Sequence, residues 1–178
     1  MFRSKKKLIG LFGGSFDPPH KAHLKISKAS IKKLKLDRLF WVVTKKNPFK
    51  KDPFFDLKNR INKSKKIIKK NKIIKIRFLD KLVGSNRTID TLKFLIKKNK
   101  NSNFFLIIGS DSLINFHKWK SWKKILKMCQ LVVFPRKGFD KMAKKTIKLK
   151  EFQDREIIYI KNEKIDISSS KIRKNYLR

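Results

Sequence analysis

The feature of this chain that most constrains its fold is an apolar segment near the start, LIGLFGGSFDPPHKAHL at residues 8–24, which runs into two glycines. Glycine has no Cβ, so Gly13 and Gly14 let the backbone turn sharply and approach a phosphate closely. The helix predicted to follow begins with N–H groups that have no intrahelical partners and lie at the positive end of the helix dipole. His20 and His23 are three residues apart at that helix start, so both can reach one phosphate. The segment therefore predicts a strand, a phosphate-binding turn and a helix, in that order.

Two simpler interpretations of this segment stay open. Two glycines followed by Pro18 and Pro19 also suit an ordinary connection between a strand and a helix. A pair of histidines three apart can bind a metal ion, but among acidic residues and cysteines only Asp17 is nearby in sequence. We therefore expect the histidines to contact phosphate, and we expect no metal site formed by the protein itself.

Strand-length apolar runs alternate with helical patterns along the chain. Several runs are nearly continuous in Ile, Val and Phe, as in strands that are covered on both faces. The predicted strands are residues 8–12, 39–44, 73–79, 104–108, 131–134 and 157–160. Apolar residues at helical spacing predict helices over residues 56–70, 88–98 and 121–128. The alternation predicts an α/β fold with a doubly wound parallel sheet.

Two glycine-containing turns are expected at the same edge of that sheet. Gly13 and Gly14 end the first predicted strand, and Gly109-Ser110-Asp111 ends the fourth. Ligands of such sheets bind at the carboxyl ends of the strands, so both turns are expected to border one site. Residues 141–150 suit either a short helix or a mobile loop, and the length of 178 residues suits one domain over residues 1–178.

The chain carries a formal net charge of +37, which would ordinarily indicate a nucleic-acid or anionic-membrane partner. Lysine supplies most of that charge, whereas arginine is the residue expected for bidentate recognition of phosphates or bases. The lysine-rich run KSKKIIKKNKIIK at residues 63–75 keeps its isoleucines at helical and then strand spacing, as a solvated helix face does. We therefore expect salt-sensitive, nonspecific adhesion to nucleic acid, with no specific nucleic-acid partner.

Cysteine content and hydropathy indicate the compartment. Cys129 is the single cysteine, which excludes an internal disulfide and suits a reducing cytoplasm, and its apolar neighbours predict a buried packing residue. No apolar run approaches the roughly 20 residues needed to cross a bilayer. The basic and apolar start has no small-residue cleavage pattern and leads directly into the glycine turn, so we expect a cytoplasmic protein without a membrane partner.

Four motifs resemble those of a known family. The string GGSFDPPHKAH at residues 13–23 resembles the (T/H)xGH signature of the nucleotidyltransferase superfamily, and ISSSKIR at residues 167–173 resembles its ISSTxIR signature. GSDSLINFHKW at residues 109–119 and NRTIDTL at residues 86–92 are similar to segments of the nicotinate-nucleotide adenylyltransferases. The resemblance covers nearly the whole chain and implies a Rossmann-like nucleotidyltransferase fold. It also implies an enzyme of NAD biosynthesis that transfers AMP from ATP to nicotinate mononucleotide, giving deamido-NAD and pyrophosphate.

The resemblance assigns one set of residues to ATP. His20, His23 and Arg173 are expected to be catalytic, with His23 stabilising the transition state. The residues expected to bind ATP are Gly13, Gly14, Ser15, Phe16, His20, His23, Ser168, Ser169, Ser170 and Arg173. Magnesium is expected to arrive with ATP, held chiefly by phosphate oxygens and water. Two alternatives remain: His20 can merely cap the first helix, and a serine cluster is often an ordinary helix cap.

A second set of residues is expected to bind the mononucleotide. It comprises Lys50, Arg87, Thr88, Asp111, Trp119 and Arg136. Trp119 would stack on the pyridine ring, and backbone N–H groups around Arg87 and Thr88 would bind the nicotinate carboxylate. Trp119 can instead be a packing residue, although its polar neighbours favour partial exposure and make Trp122 the expected core tryptophan. Asp111 can also cap the helix that follows it.

The sequence departs from the family pattern at three places. Ala22 replaces the glycine of HxGH, a small replacement that still allows close packing. Arg87 replaces a frequent tyrosine, and Asn47-Pro48-Phe49-Lys50 replaces a Pro-Pro-His-Lys-like segment; both lie where the family holds the mononucleotide, so they leave the acceptor open. Nicotinamide mononucleotide and phosphopantetheine are the alternative acceptors. The alternative from another class is a basic nucleic-acid-binding protein on a nucleotide-binding fold. ATP and nicotinate mononucleotide are the expected partners, for either a monomer or a homodimer.

Overall fold

The computed structural model describes residues 5–49, 51–69, 71–147, 152, 157–160 and 169–174. Within these residues, six strands form one parallel sheet in the order β3-β2-β1-β4-β5-β6. The strands are β1 Lys7–Gly14, β2 Arg38–Val43, β3 Ile74–Arg77, β4 Ser102–Gly109, β5 Gln130–Phe134 and β6 Ile157–Tyr159. Each predicted strand is present, and the doubly wound parallel sheet is confirmed.

Helices connect the strands. They are α1 Lys21–Leu34, α2 Leu57–Ile68, α3 Asp80–Val83, α4 Thr88–Lys98, α5 Ser110–Ile114, a 3₁₀ turn Phe116–Lys118, α6 Trp122–Met128, α7 Asp140–Ile147 and α8 Ser169–Lys174. The predicted helix over 88–98 has the observed bounds of α4. Residues 141–147, the part of 141–150 that the structure describes, belong to the helix α7. A short helix, rather than a loop, is therefore the correct expectation for these residues.

Alternate residues of the central strands pack into two separate apolar clusters, one on each face of the sheet. In β4, Leu106 and Ile108 join one cluster and Ile107 joins the other. In β5, Val133 and Val132 are divided in the same way. Successive side chains of a strand point to opposite faces, so a sheet covered on both sides needs apolar residues at every position. This explains the nearly unbroken apolar runs of the sequence.

The prediction that Trp122 is the core tryptophan was wrong. Trp122 is only partly buried and packs against the edge of one cluster, near Phe116 and Phe152. The fully buried tryptophan is Trp41, in the middle of β2. Cys129 is buried, as predicted, and this burial raises the pKa of its thiol to about 12, so it stays a neutral packing residue.

The strand order reverses between β1 and β4, and this places the two glycine turns side by side. β2 lies on one side of β1 and β4 lies on the other, so the connections after β1 and β4 leave on opposite faces of the sheet. A crevice opens at such a reversal, at the carboxyl ends of the strands. Gly14 and Gly109 end the two strands that form it.

Candidate active site

A cleft of about 820 Å³ lies at this reversal and contains most of the predicted site residues. The ATP-side residues that line it are Gly13, Gly14, Ser15, Phe16, His20, His23, Ser169 and Arg173. The acceptor-side residues that line it are Arg87, Thr88, Asp111, Trp119 and Arg136. Lys50 and Ser168 lie outside the described residues, as does the side chain of Ser170. The fold therefore brings together two sets of residues that are far apart in the sequence.

His23 is held in one orientation by its own helix and by aromatic packing. The backbone N–H of His20 donates to Nδ1 of His23 over 3.1 Å, so the neutral ring carries its hydrogen on Nε2. The Phe16 ring lies 4.9 Å from the His23 ring and stacks on Trp41 at 4.8 Å. Trp41 donates through Nε1 to Ser27 Oγ, and Ser27 donates to the His23 carbonyl. The ring is thus fixed as a potential donor through Nε2.

Phe16 contributes to this packing with its side chain. Only 3% of the residue is exposed, and it belongs to the apolar cluster that contains Trp41. Its backbone has a positive φ of 48°, so the chain turns at this residue directly after Gly14 and Ser15. The Phe16 ring therefore supports His23 from the apolar cluster.

His20 occupies the N-cap position of α1 and keeps a neutral ring. Its ring lies 3.9 Å from that of His23, and its buried Nδ1 has no hydrogen-bond partner among the described residues. Burial, together with the nearby charge of Arg136, lowers the pKa of His20 to about 4. The side chains of His20 and His23 form a capping box at the start of α1, so His20 caps this helix, as the alternative for it expected. Nδ1 of His20 lies below the surface and is not directly accessible to a ligand.

The lowered pKa of His20 predicts a pH-dependent stability. An unfolded histidine has a pKa near 6.5, so between pH 6.5 and about 4 the unfolded chain binds more protons than the folded chain. The stabilisation from neutral His20 is complete above pH 6.5 and is lost as the pH falls toward 4. After allowance for partial exposure we expect a loss of about 1–2 kcal/mol. Urea unfolding of wild type and His20→Asn at pH 7.0 and 4.5 tests this: the variant should lose less stability, and equal losses would contradict the assignment.

The C-terminal motif is anchored on the N-terminal loop through Asp17. Arg173 donates through Nη1 to the Asp17 carbonyl at 2.6 Å and contacts the Asp17 carboxylate at 3.4 Å, while Ser169 Oγ donates to the Pro18 carbonyl. The Asp17 carboxylate also accepts the backbone N–H groups of Phe54 and Phe55. Asp17 is 5% exposed, and it joins three parts of the chain at the edge of the cleft. Sequence reasoning had considered it only as a potential metal ligand.

Arg60 is a second residue that sequence reasoning missed. It lies on α2 with 1% of its surface exposed, and its guanidinium donates to four backbone carbonyls. The acceptors are Phe55, Ser15, Thr44 and Lys45. A signal was present in the sequence: an arginine, in a chain whose basic residues are mostly lysine, stands on the buried stripe of the predicted helix between Leu57 and Ser64.

On the acceptor side, Asp111 forms an ion pair with Arg136 at 2.6 Å. The expected alternative role of Asp111 as a helix cap is wrong, because α5 begins at Ser110 and has Gly109 at its N-cap. The backbone N–H of Arg136 donates to Ser110 Oγ and to Asp140 Oδ1. The turn after β5 is thereby fixed to the start of α5, and the ion pair faces the cleft.

Trp119, Thr88 and Arg87 also line the cleft, and Arg87 is the exposed member of the three. Trp119 is half-buried and packs against Phe116, with ring centroids 5.0 Å apart. α4 begins at Thr88, so its first N–H groups point out of the helix end. The backbone N–H of Arg87, which was expected to bind a carboxylate, instead donates to Ser85 Oγ. The N–H groups that remain for that task are those of the α4 start itself.

The part of the chain that the structure describes contains no group of three or more His, Cys, Asp or Glu side chains placed to hold a metal ion. Among the same residues, no helix is long and apolar enough to span a bilayer.

The sequence profile of the cytidylyltransferase-like family matches residues 11–175, which is most of the chain. The protein is therefore a nucleotidyltransferase. Structures of the Plasmodium falciparum nicotinic acid mononucleotide adenylyltransferase, in complexes with NaAD and with APC, share the fold with TM-scores of 0.77 and 0.76. Each is 23% identical to this chain and covers 94% of it and 83% of the solved chain.

Sequence relatives narrow the class to one family. The chain is 46% identical to a probable nicotinate-nucleotide adenylyltransferase of Pelagibacter ubique (strain HTCC1062), over 96% of this chain and 94% of the relative. A protein of the same name from Rhizobium meliloti (strain 1021) is 37% identical over 73% of this chain and 69% of the relative. The chain belongs to the nicotinate-nucleotide adenylyltransferase family.

Proposed function

We propose that this protein transfers AMP from ATP to nicotinate mononucleotide, forming deamido-NAD and pyrophosphate in NAD biosynthesis. The observation that carries the proposal is that the ATP-side and acceptor-side residues line one continuous cleft. The family relationship supports the reaction, and the Plasmodium falciparum neighbour, solved with NaAD, supports the acceptor.

In the proposed reaction, a phosphate oxygen of the mononucleotide attacks the α-phosphorus of ATP. The new P–O bond forms as the bond from the α-phosphorus to the bridging oxygen breaks, and that oxygen leaves with pyrophosphate. No covalent enzyme intermediate is needed, because the protein positions the two phosphates and neutralises their charge. His23 would donate from Nε2 to the phosphate oxygens as negative charge builds up in the transition state.

The leaving pyrophosphate would be bound by Arg173, Ser169 and His20. Arg173 already contacts Asp17 at the cleft edge, so its charge is directed there before ATP binds. A triphosphate beside His20 would oppose the effect of Arg136 and favour the protonated ring.

Magnesium is proposed to enter with the triphosphate. The cleft carboxylates of Asp17 and Asp111 are paired with Arg173 and Arg136, so they do not form a separate cage for a cation. These residues fit a magnesium ion held by phosphate oxygens and water, which would reduce the charge on the triphosphate.

Acceptor use tests the proposed function directly. Pyrophosphate release is measured from ATP and magnesium, with nicotinate mononucleotide, nicotinamide mononucleotide or phosphopantetheine supplied separately. We expect release that depends on nicotinate mononucleotide. Faster release with one of the other acceptors would support adenylyl transfer and would overturn nicotinate mononucleotide as the acceptor. No release from folded, ATP-binding protein would overturn the reaction.

The net charge of +37 favours a second candidate function, the binding of nucleic acid in the cytoplasm. Binding through lysine charges weakens steeply with salt, because counterions are released from the nucleic acid. Adenylyl transfer in an enclosed cleft is expected to fall much less between 50 and about 200 mM salt. Retention of an RNA or DNA duplex at the higher salt concentration would support a specific nucleic-acid partner.

A further inference from the structure

Arg60 binds the backbone of two segments that line the cleft, without lining the cleft itself. Nη1 donates to the Ser15 carbonyl at 2.6 Å and to the Thr44 carbonyl at 2.8 Å. Nη2 donates to Lys45 at 3.0 Å, and Nε donates to Phe55 at 2.9 Å. Ser15 belongs to the glycine turn on the ATP side, whereas the other three residues flank residues 47–49 and 51–53, which also line the cleft.

The three residues that Arg60 binds beyond the glycine turn also donate to two carboxylates. Asp80 accepts the Thr44 hydroxyl and the Lys45 N–H, both at 2.7 Å. Asp17 accepts the Phe55 N–H at 2.9 Å. Thr44, Lys45 and Phe55 are therefore each held by Arg60 through the carbonyl and by a carboxylate through another polar group.

We infer that Arg60 is a positioning residue for adenylyl transfer, which fixes the glycine turn relative to residues 44–49 and 51–55 and so keeps the shape of the cleft in which the two phosphates meet. The inference rests on the proposed function. In-line attack depends on the separation of the reacting atoms, and a displacement of about 1 Å can cost about 100-fold in rate. Only a planar guanidinium can donate in three directions to four carbonyls at once.

The Arg60→Lys variant tests the inference while keeping the positive charge. An ammonium group has three donors at one point, so it cannot reach all four carbonyls. We expect kcat to fall about 10- to 100-fold, with smaller changes in KM for ATP and for nicotinate mononucleotide. Rates are compared at a temperature at which circular dichroism shows each variant folded.

Ser64→Ala is the matched control. Ser64 is fully buried one turn further along α2, and its hydroxyl donates to the Arg60 carbonyl. Its removal costs a buried hydrogen bond but leaves the guanidinium in place, so we expect a lower Tm with an unchanged kcat. If the folded Arg60→Lys variant has the kcat of Ser64→Ala, Arg60 is merely structural and the inference is wrong.

Hydrogen exchange tests the attachment independently of turnover. A peptide covering residues 51–59 is expected to exchange at least about fivefold faster in Arg60→Lys and at the wild-type rate in Ser64→Ala. Unchanged exchange in Arg60→Lys would overturn the inference. Wild-type protein without turnover would instead contradict the proposed function, so the two failures are distinguishable.

A second variant covers the case in which Arg60→Lys does not fold. Asp80→Asn loosens Thr44 and Lys45 from their other side and leaves α2 intact. We expect kcat to fall about tenfold with little change in KM, because the same segment is displaced. A wild-type kcat in folded Asp80→Asn would contradict positioning through Thr44 and Lys45.

Discussion

Replacement of His23 by alanine is expected to lower kcat for pyrophosphate release by about 100- to 1000-fold. The His23 ring is oriented before substrate binds, because Nδ1 accepts the His20 N–H and the Phe16 ring packs against it. Its Nε2 hydrogen can therefore meet the charge that develops on phosphate without reorganisation. The measurement is steady-state release with saturating ATP, magnesium and nicotinate mononucleotide, at a temperature at which the variant is folded.

Two further histidine variants make this prediction specific. His117 is exposed on the 3₁₀ turn and does not line the cleft, so His117→Ala should retain wild-type kcat. His23→Gln keeps an N–H donor near the position of Nε2 and should recover part of the lost rate. A His23→Ala variant with full activity would exclude the proposed catalytic role.

Local sequence patterns were sufficient to predict the sheet. In β4 residues 104–108 and in β5 residues 131–134 are all apolar because both faces of the sheet are covered, so strand positions can be identified without knowledge of their partners. The glycine turns after β1 and β4 predicted where the cleft lies, since parallel strands place their carboxyl ends at one edge.

Asp17 and Arg60 hold the site together through partners that are far away in the sequence. For that reason their roles could not be predicted from the sequence. Asp17 is separated by 37 residues from Phe54 and by 156 residues from Arg173. Arg60 is separated by 45 residues from Ser15. A buried arginine or aspartate is stabilised by partners that only the fold brings close, so a sequence pattern shows such a residue at most as an exception on an apolar face.

Trp41 and Trp122 differ in a way that their sequence neighbours already indicate. Trp41 stands between Phe40 and Val42, whereas Trp122 stands between Ser121 and Lys123. Trp41 is fully buried because β2 lies between β1 and β3 and has α1 and α2 packed on the face that carries the indole. Trp122 lies at the first position of α6, where a helix end leaves part of the indole exposed.

Asp17→Asn is expected to destabilise the protein by about 2–3 kcal/mol and to lower turnover as well. One carboxylate oxygen accepts the Phe54 N–H at 2.8 Å, and the other accepts the Phe55 N–H at 2.9 Å. An amide has a single acceptor oxygen, so its NH₂ group would face one of these donors. Arg173 would also lose its negatively charged partner, so both the 54–55 segment and the late helix would be held less firmly.

Urea unfolding at pH 7 measures this effect against Asp37→Asn. Asp37 is exposed and accepts one backbone N–H, that of Leu8 at 2.7 Å, so its substitution should cost less than about 1 kcal/mol. The comparison isolates burial and the number of bonds, because both variants replace a carboxylate with an amide. Equal shifts in the urea midpoint would mean that the contacts of Asp17 with residues 54–55 and with Arg173 do not stabilise the fold. A larger shift for Asp17→Asn, together with reduced turnover in folded protein, would link these contacts to catalysis.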